Sequence, residues 1–126
     1  MSKLKLLLPL LFMMAANGAA AGGAPKIVLG DPENYCVTYC YLRIPFTVEN
    51  WDPARKIGRV FCDLEADVTS KLPVYNGEAR TRSVAMQSIG VFKSDAKGTM
   101  GDVELHTGIQ PAYFVKAKLK KADCHF

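Results

Sequence analysis

Residues that do chemistry are scarce in this chain, and each shortage excludes something. The 126 residues include two histidines, His106 and His125. A hydrolytic triad needs a nucleophile, a base and an orienting acid, and no G-x-S-x-G turn is present to hold a serine. His125 is the penultimate residue, where chains fray. His106 stands among Glu104, Leu105 and Thr107 on the polar parity of a short strand and reads as a surface histidine. The cysteines include no C-x-x-C redox pair and no C-x-x-C-H haem attachment. There is no glycine-rich phosphate loop, no M-x-x-M or H-x-M spacing for copper, and no N-x-S/T acceptor for glycans. These gaps point away from an enzyme and away from a bound cofactor.

Long apolar runs and strong net charge are also missing. The longest apolar run, residues 6–14, contains Pro9. It is about half of the roughly 20 residues that a membrane helix needs. Its setting explains it. Two lysines precede it in Met1-Ser-Lys-Leu-Lys, and Ala19-Ala20-Ala21 follows it. A basic start, a short apolar centre and small residues at the end describe a secretory signal peptide. Residues 1–21 are therefore expected to be removed, with cleavage after Ala21, or after Gly18 as the fallback. Residues 22–126 are left as one exported domain, periplasmic or secreted, with no membrane span. A lipid anchor would need a cysteine directly after the apolar run, and the first one is Cys36. The sixteen basic and twelve acidic residues give +4, and removal of Lys3 and Lys5 lowers this to +2. So weak a field offers no attraction for nucleic acid or an anionic membrane.

Export changes the meaning of the four cysteines, Cys36, Cys40, Cys62 and Cys124. An even number in a small exported domain suggests structural disulfides rather than a zinc or redox site. The favoured pairs are Cys36–Cys40 and Cys62–Cys124. The long-range bridge closes a loop of about 60 residues, worth ~4 kcal/mol on a chain-entropy account. The local bridge carries a condition. Four strand steps of ~3.3 Å would part the two Cα atoms by ~13 Å, whereas a disulfide needs under ~7 Å. Cys36-Val-Thr-Tyr-Cys40 must therefore turn, or both cysteines pair elsewhere. Asp31-Pro-Glu-Asn34 ahead of it is rich in turn formers.

What the remaining sequence has is alternation. In residues 58–69, Val60, Cys62, Leu64, Ala66 and Val68 share one parity, and Asp63, Glu65 and Asp67 share the other. Near the C-terminus Tyr113, Val115, Ala117 and Leu119 alternate with Phe114, Lys116, Lys118 and Lys120, and the doubled Lys120-Lys121 shifts the parity so that Ala122 and Cys124 continue the apolar side. A β-bulge accounts for such a shift. Further strands are expected at Lys26-Ile-Val-Leu29 on an edge, at Ile44-Phe46-Val48, at residues 84–91 and at Val103-Leu105. Asn50-Trp-Asp-Pro53, Asn76-Gly77, residues 94–98, Gly101-Asp102 and residues 108–111 supply turns. No segment of the mature chain keeps a helical period over three turns. Six or seven short strands predict an all-β fold, a small antiparallel β-sandwich that is immunoglobulin-like in general layout. A small β-barrel is the runner-up. The acidic row of residues 63–67 and the lysine row of residues 116–120 predict that their strands are antiparallel neighbours.

Metal sites were weighed on the same residues. Alternate strand residues stand ~6.6 Å apart while calcium–oxygen distances are ~2.4 Å, so Asp63, Glu65 and Asp67 read as a solvated face. Met86, Met100 and His106 are soft or borderline ligands, but Met86 fits a core position and Met100 a loop. The remaining candidate is a surface. Tyr35, Tyr39, Tyr41 and Trp51 crowd a short stretch with Phe46, and tyrosine and tryptophan are favoured at contact surfaces. The plainer account is that these rings fill the core and that Trp51 caps its edge. Taken together, the sequence predicts a disulfide-stabilised, non-catalytic protein-binding or structural module whose partner is another exported or envelope protein. The alternative is a periplasmic metal or small-ligand binding protein.

Overall fold

The computed structural model describes residues 23–95 and 98–126, with the side chain of Asp95 left aside. The expected signal peptide lies outside the described residues. Seven strands follow in order: β1 (Lys26–Leu29), β2 (Glu33–Cys36), β3 (Cys40–Glu49), β4 (Ile57–Ser70), β5 (Arg80–Asp95), β6 (Gly98–His106) and β7 (Phe114–His125). A single 3₁₀ turn, Pro73–Tyr75, interrupts the connection between β4 and β5. It ends at Asn76, whose φ of 54° is a left-handed conformation that asparagine tolerates.

All seven strands belong to one antiparallel sheet in the order β1-β3-β6-β5-β4-β7, with β2 also paired to β3. The sheet curls until it is nearly closed into a barrel. This corrects the immunoglobulin-like sandwich in favour of the small barrel. A sandwich needs two sheets facing one another, whereas here hydrogen-bonded pairing runs unbroken from β1 to β7. Alternation cannot separate the two, because both folds put every second residue inside.

The inward residues meet along the axis. Leu42, Ile44, Phe46 and Val48 come from β3, and Val60, Cys62, Leu64, Ala66 and Val68 from β4. Phe92, Val103, Leu105, Ile109 and Ala117 complete the core. Two glycines let strands approach where the wall bends. A Cβ on Gly90 would stand 2.7 Å from the Asp102 carbonyl oxygen and 2.8 Å from the Phe46 ring. One on Gly58 would stand 2.3 Å from the Phe92 ring. Glycine within a strand commonly marks such a close approach.

Closure of the barrel depends on a side chain. β1 and β2 together edge β3, one after the other, and Gly30, Asp31 and Pro32 separate them. Across the open seam, Asn34 of β2 donates from Nδ2 to the Ala117 carbonyl of β7 at 2.9 Å. Its Oδ1 accepts from the Ala117 N–H at 3.0 Å. The primary amide thus reproduces the two-way exchange of an antiparallel backbone pair.

The strand-neighbour expectation holds. β4 and β7 are antiparallel, with Cys62 opposite Cys124, Glu65 opposite Lys121 and Asp67 opposite Lys118. The register slips between Glu65 and Ala66, where Lys120 is the extra residue. This is the bulge that the doubled lysine implied. Lys120 Nζ lies 3.5 Å from Glu65 and 3.9 Å from Asp67. Local details differ from expectation. Glu33 and Asn34 form strand rather than turn, and Gly101-Asp102 lies inside β6 because Gly101 packs against the Phe46 ring. Met100 stands on β6 and not in a loop. Met86 is exposed, at 36%, and is not part of the core, where its parity predicts it. His125 stacks on Phe61 at 5.8 Å within β7 rather than lying beyond it.

Candidate binding surface

The short bridge sets the geometry of the tyrosines. Cys36 and Cys40 close the β2–β3 hairpin as directly opposed residues, with Cα atoms 4.0 Å apart. The turn condition is met by Val37-Thr38-Tyr39, where the Val37 N–H reaches the Tyr39 carbonyl at 2.9 Å. Beneath the hairpin, the Thr107 hydroxyl and N–H both donate to the Cys40 carbonyl, at 2.7 and 3.1 Å. The Cys40 N–H donates to Ile109 at 2.9 Å. These bonds fix the chain on either side of Tyr39 and leave its ring free to point outward.

Tyr35 and Tyr41 are cross-strand partners and stack at 5.3 Å. On the other side of β3, Tyr41 faces His106 of β6. Their rings meet edge-on at 4.7 Å, and Tyr39 covers the imidazole at 5.2 Å. One rung further along, Arg43 lies over the Tyr35 ring at 4.3 Å. Glu104 accepts a hydrogen bond from the Tyr35 hydroxyl and stands 3.9 Å from Arg43. The Glu104 bond holds the Tyr35 hydroxyl above its usual pKa of 10.0. Every member except Tyr39, which lies in the β2–β3 turn, sits on the outer parity of its strand. Tyr39 is 37% exposed, His106 is exposed, and Tyr35 and Tyr41 are half-buried.

Three of the four aromatic residues expected at a surface are therefore together, and Trp51 is apart. It follows the far end of β3, roughly 26 Å from Tyr41 at ~3.3 Å per residue. There it packs edge-on against Phe92 at 4.8 Å, beside Phe126. Its Nε1–H donates to the Arg55 carbonyl at 2.6 Å. It caps one end of the core. Glu104 and His106 join the tyrosines because β3 pairs with β6, while Arg43 reaches Tyr35 through the pairing of β3 with β2. The matching parity of Tyr41 with Arg43, and of Glu104 with His106, was readable. Which strands are neighbours was not.

Chemistry at this surface is limited to contact. Among the described residues no three His, Cys, Asp or Glu side chains converge on a point that could hold a metal ion. The acidic row is engaged instead by Lys120 and, at Glu65, by the Ser83 hydroxyl at 2.9 Å. That hydrogen bond, with Lys120 second, lowers the Glu65 pKa from its usual 4.5. Elsewhere on the surface, Val28, Leu29, Pro45, Met100, Asp102 and the edge of the core residue Phe46 line an apolar groove of about 460 Å³. The chain matches no family model, and neither a curated protein nor a solved structure matches it.

Proposed function

We propose that this is an exported, non-catalytic binding module that engages another exported protein through Tyr39, Tyr41 and His106. The observation that carries the reading is the ring cluster on the outer face. Tyr39 and His106 are exposed while the backbone beneath them is fixed by a disulfide and by Thr107. Prefixed aromatic rings offer contact area with little ordering cost on association, which is why such residues dominate binding energy. The two disulfides are compatible with an extracellular protein, and so is the lack, among the described residues, of a helix long and apolar enough to cross a membrane. The basic, apolar and alanine-rich segment at residues 1–21 supports the same address.

The test compares mature chain with a Tyr39→Ala/Tyr41→Ala variant as bait for envelope extract. A protein retained by the parent and by a Val74→Ala control but lost with the double variant supports the reading. Equal retention by all three removes the cluster from binding. The competing reading, a small-ligand or metal carrier, draws on the groove beside Met100 and Asp102. Metal analysis and native mass spectrometry of protein purified without chelator decide it. A stoichiometric metal or small molecule would replace the protein-binding reading.

A further inference from the structure

The end of the barrel away from the tyrosines holds a second group of aromatic and basic side chains, and a loop sets it up. The Trp51 Nε1–H donates to the Arg55 carbonyl at 2.6 Å. The Arg55 N–H donates to the Asp52 carbonyl at 2.9 Å, and Asp52 Oδ1 accepts from the Ala54 N–H at 2.9 Å. These bonds fold residues 51–55 back on themselves. They bring the Arg55 guanidinium over the indole, 4.4 Å from the ring centroid. β4 then leaves the loop with Ile57, Arg59 and Phe61 on its outer parity. Gly58 lies between them. A Cβ there would stand 2.6 Å from the Trp51 ring, so the missing side chain lets the indole lie against the strand. Phe126 covers the other flank, with its ring 5.5 Å from that of Trp51.

Together Trp51, Arg55, Ile57, Arg59, Phe61 and Phe126 line a pocket of about 630 Å³. That size falls among small-molecule sites, which run roughly 300–1,000 Å³. Its apolar lining is not spent on folding. Ile57, Phe61 and Phe126 take no part in the hydrophobic core, and Ile57 and Phe126 are 61% and 41% exposed.

Its cations are also unspent. Arg43, Arg80 and Lys120 each stand in an ion pair. Arg55 and Arg59 are exposed and join none among the described residues. Across the sheet, Arg59 faces Val91 and Phe61 faces Ile89, so the neighbouring strand brings no carboxylate. A guanidinium stacked on an indole keeps its N–H edge free for an acceptor.

We infer that this pocket binds a soluble organic anion, one carboxylate or phosphate group on an apolar chain. Arg55 and Arg59 donate N–H bonds to the head group, and the chain lies along Trp51, Ile57, Phe61 and Phe126. Arginine suits such a head because its planar fork matches two oxygens of a carboxylate or phosphate. The indole and Arg55 are already held in place, which lowers the ordering cost of binding. The pocket shares no residue with the tyrosine cluster or with the groove beside Met100.

Trp51 is the single tryptophan of the chain, so its emission reports on this pocket. Mature chain is titrated with octyl phosphate and, separately, with octanoate. A saturable change with Kd below about 1 mM is expected, together with amide shifts at Gly58, Arg59 and Phe126 in the ¹⁵N-labelled protein. The tighter of the two identifies the head group. Octanol and inorganic phosphate, which each carry half of the proposed ligand, bind at least about tenfold more weakly. Calorimetry reads the variants, because Arg55 touches the fluorophore. Arg59→Gln weakens binding about threefold and Arg55→Gln/Arg59→Gln about tenfold, as for one and two exposed charge pairs. Arg59→Gln leaves the Arg55–Trp51 stack intact and carries the test should the double variant misfold. Arg80→Gln/Arg82→Gln leaves binding unchanged. So does Tyr39→Ala/Tyr41→Ala, whatever that variant does to protein capture, which keeps this pocket distinct from the aromatic surface. Equal affinity of the parent and the arginine variants overturns the inference. So does octanol or inorganic phosphate binding as tightly as octyl phosphate, or no saturable change up to about 1 mM. Sedimentation with phosphatidylglycerol vesicles, without binding of octyl phosphate or octanoate, replaces it with a membrane surface as the ligand.

Discussion

Asn34→Ala tests whether one side chain closes the barrel. The substitution removes two hydrogen bonds to the Ala117 backbone, at 2.9 and 3.0 Å. Each bond contributes about 1 kcal/mol net, and a buried backbone group left unpaired costs about 1–3 kcal/mol. Ala117 is 7% exposed, so water replaces the amide poorly. The loss is expected at ~2 kcal/mol, toward ~3 if the seam stays dry. In a domain of about this size, ~2 kcal/mol lowers the melting temperature by roughly 8–16 °C. Asn34→Asp keeps an acceptor for the Ala117 N–H and loses the donor to its carbonyl, so it falls between parent and alanine variant near neutral pH. Urea unfolding gives the energies, and amide exchange locates them. Ala117 N–H should exchange faster in Asn34→Ala, while amides in the β4–β5 ladder change only as far as global stability does. A change under about 0.5 kcal/mol, the usual range of an ordinary surface substitution, with Ala117 exchange untouched, would refute the argument. The seam would then be held by packing beneath it.

Other consequences follow from the same geometry. Gly90→Ala forces a methyl group to within 3 Å of Asp102, Phe46 and Val103; it is expected to cost about 1–3 kcal/mol in urea unfolding, as overpacking does. Replacing Cys62 and Cys124 together by alanine opens the long loop and should cost about 2–5 kcal/mol, seen as a fall in the urea midpoint, whereas opening Cys36–Cys40 should cost less because its loop is short. Glu65 gives a pH dependence. Its folded-state pKa lies below the usual 4.5 because Ser83 and Lys120 hold the carboxylate; the stabilisation is complete above that value and disappears as pH falls through the folded-state pKa. Glu65→Gln should therefore shift the unfolding midpoint at pH 7 and leave it near the parent value at pH 2–3, and an equal shift at both pH values would count against the assignment.

Legibility differed between elements for physical reasons. β4 and β7 could be read and paired because their patterns carry three kinds of signal at once: apolar parity, opposed charge rows, and a cysteine on each inward face. The bulge at Lys120 was visible as two adjacent lysines interrupting a period of two. β2 was missed because four residues, two of them polar turn formers, hold no alternation of their own; the strand exists because β3 and the Cys36–Cys40 bridge hold it. Tyr35, Tyr39 and Tyr41 could be nominated as a group from their closeness in sequence. The same closeness wrongly drew in Trp51, since a ten-residue strand carries its two ends far apart. Arg43 shares the parity of Tyr41 on β3 and could have been added; Glu104 and His106 had no such signal, because their arrival depends on the pairing of β3 with β6.

The amino-acid sequence alone indicated which side of β4 is buried, favoured the two cysteine pairs, and predicted that β4 lies beside β7. These are local or charge-coded facts, written in parity, residue type and the doubled lysine. Only the tertiary structure decided that the strands form one curling sheet rather than two facing ones. Inward and outward residues alternate identically in both, so the choice falls to glycines where strands crowd and to the Asn34 amide that spans the seam. It also decided what is left over: a tyrosine–histidine cluster on one face.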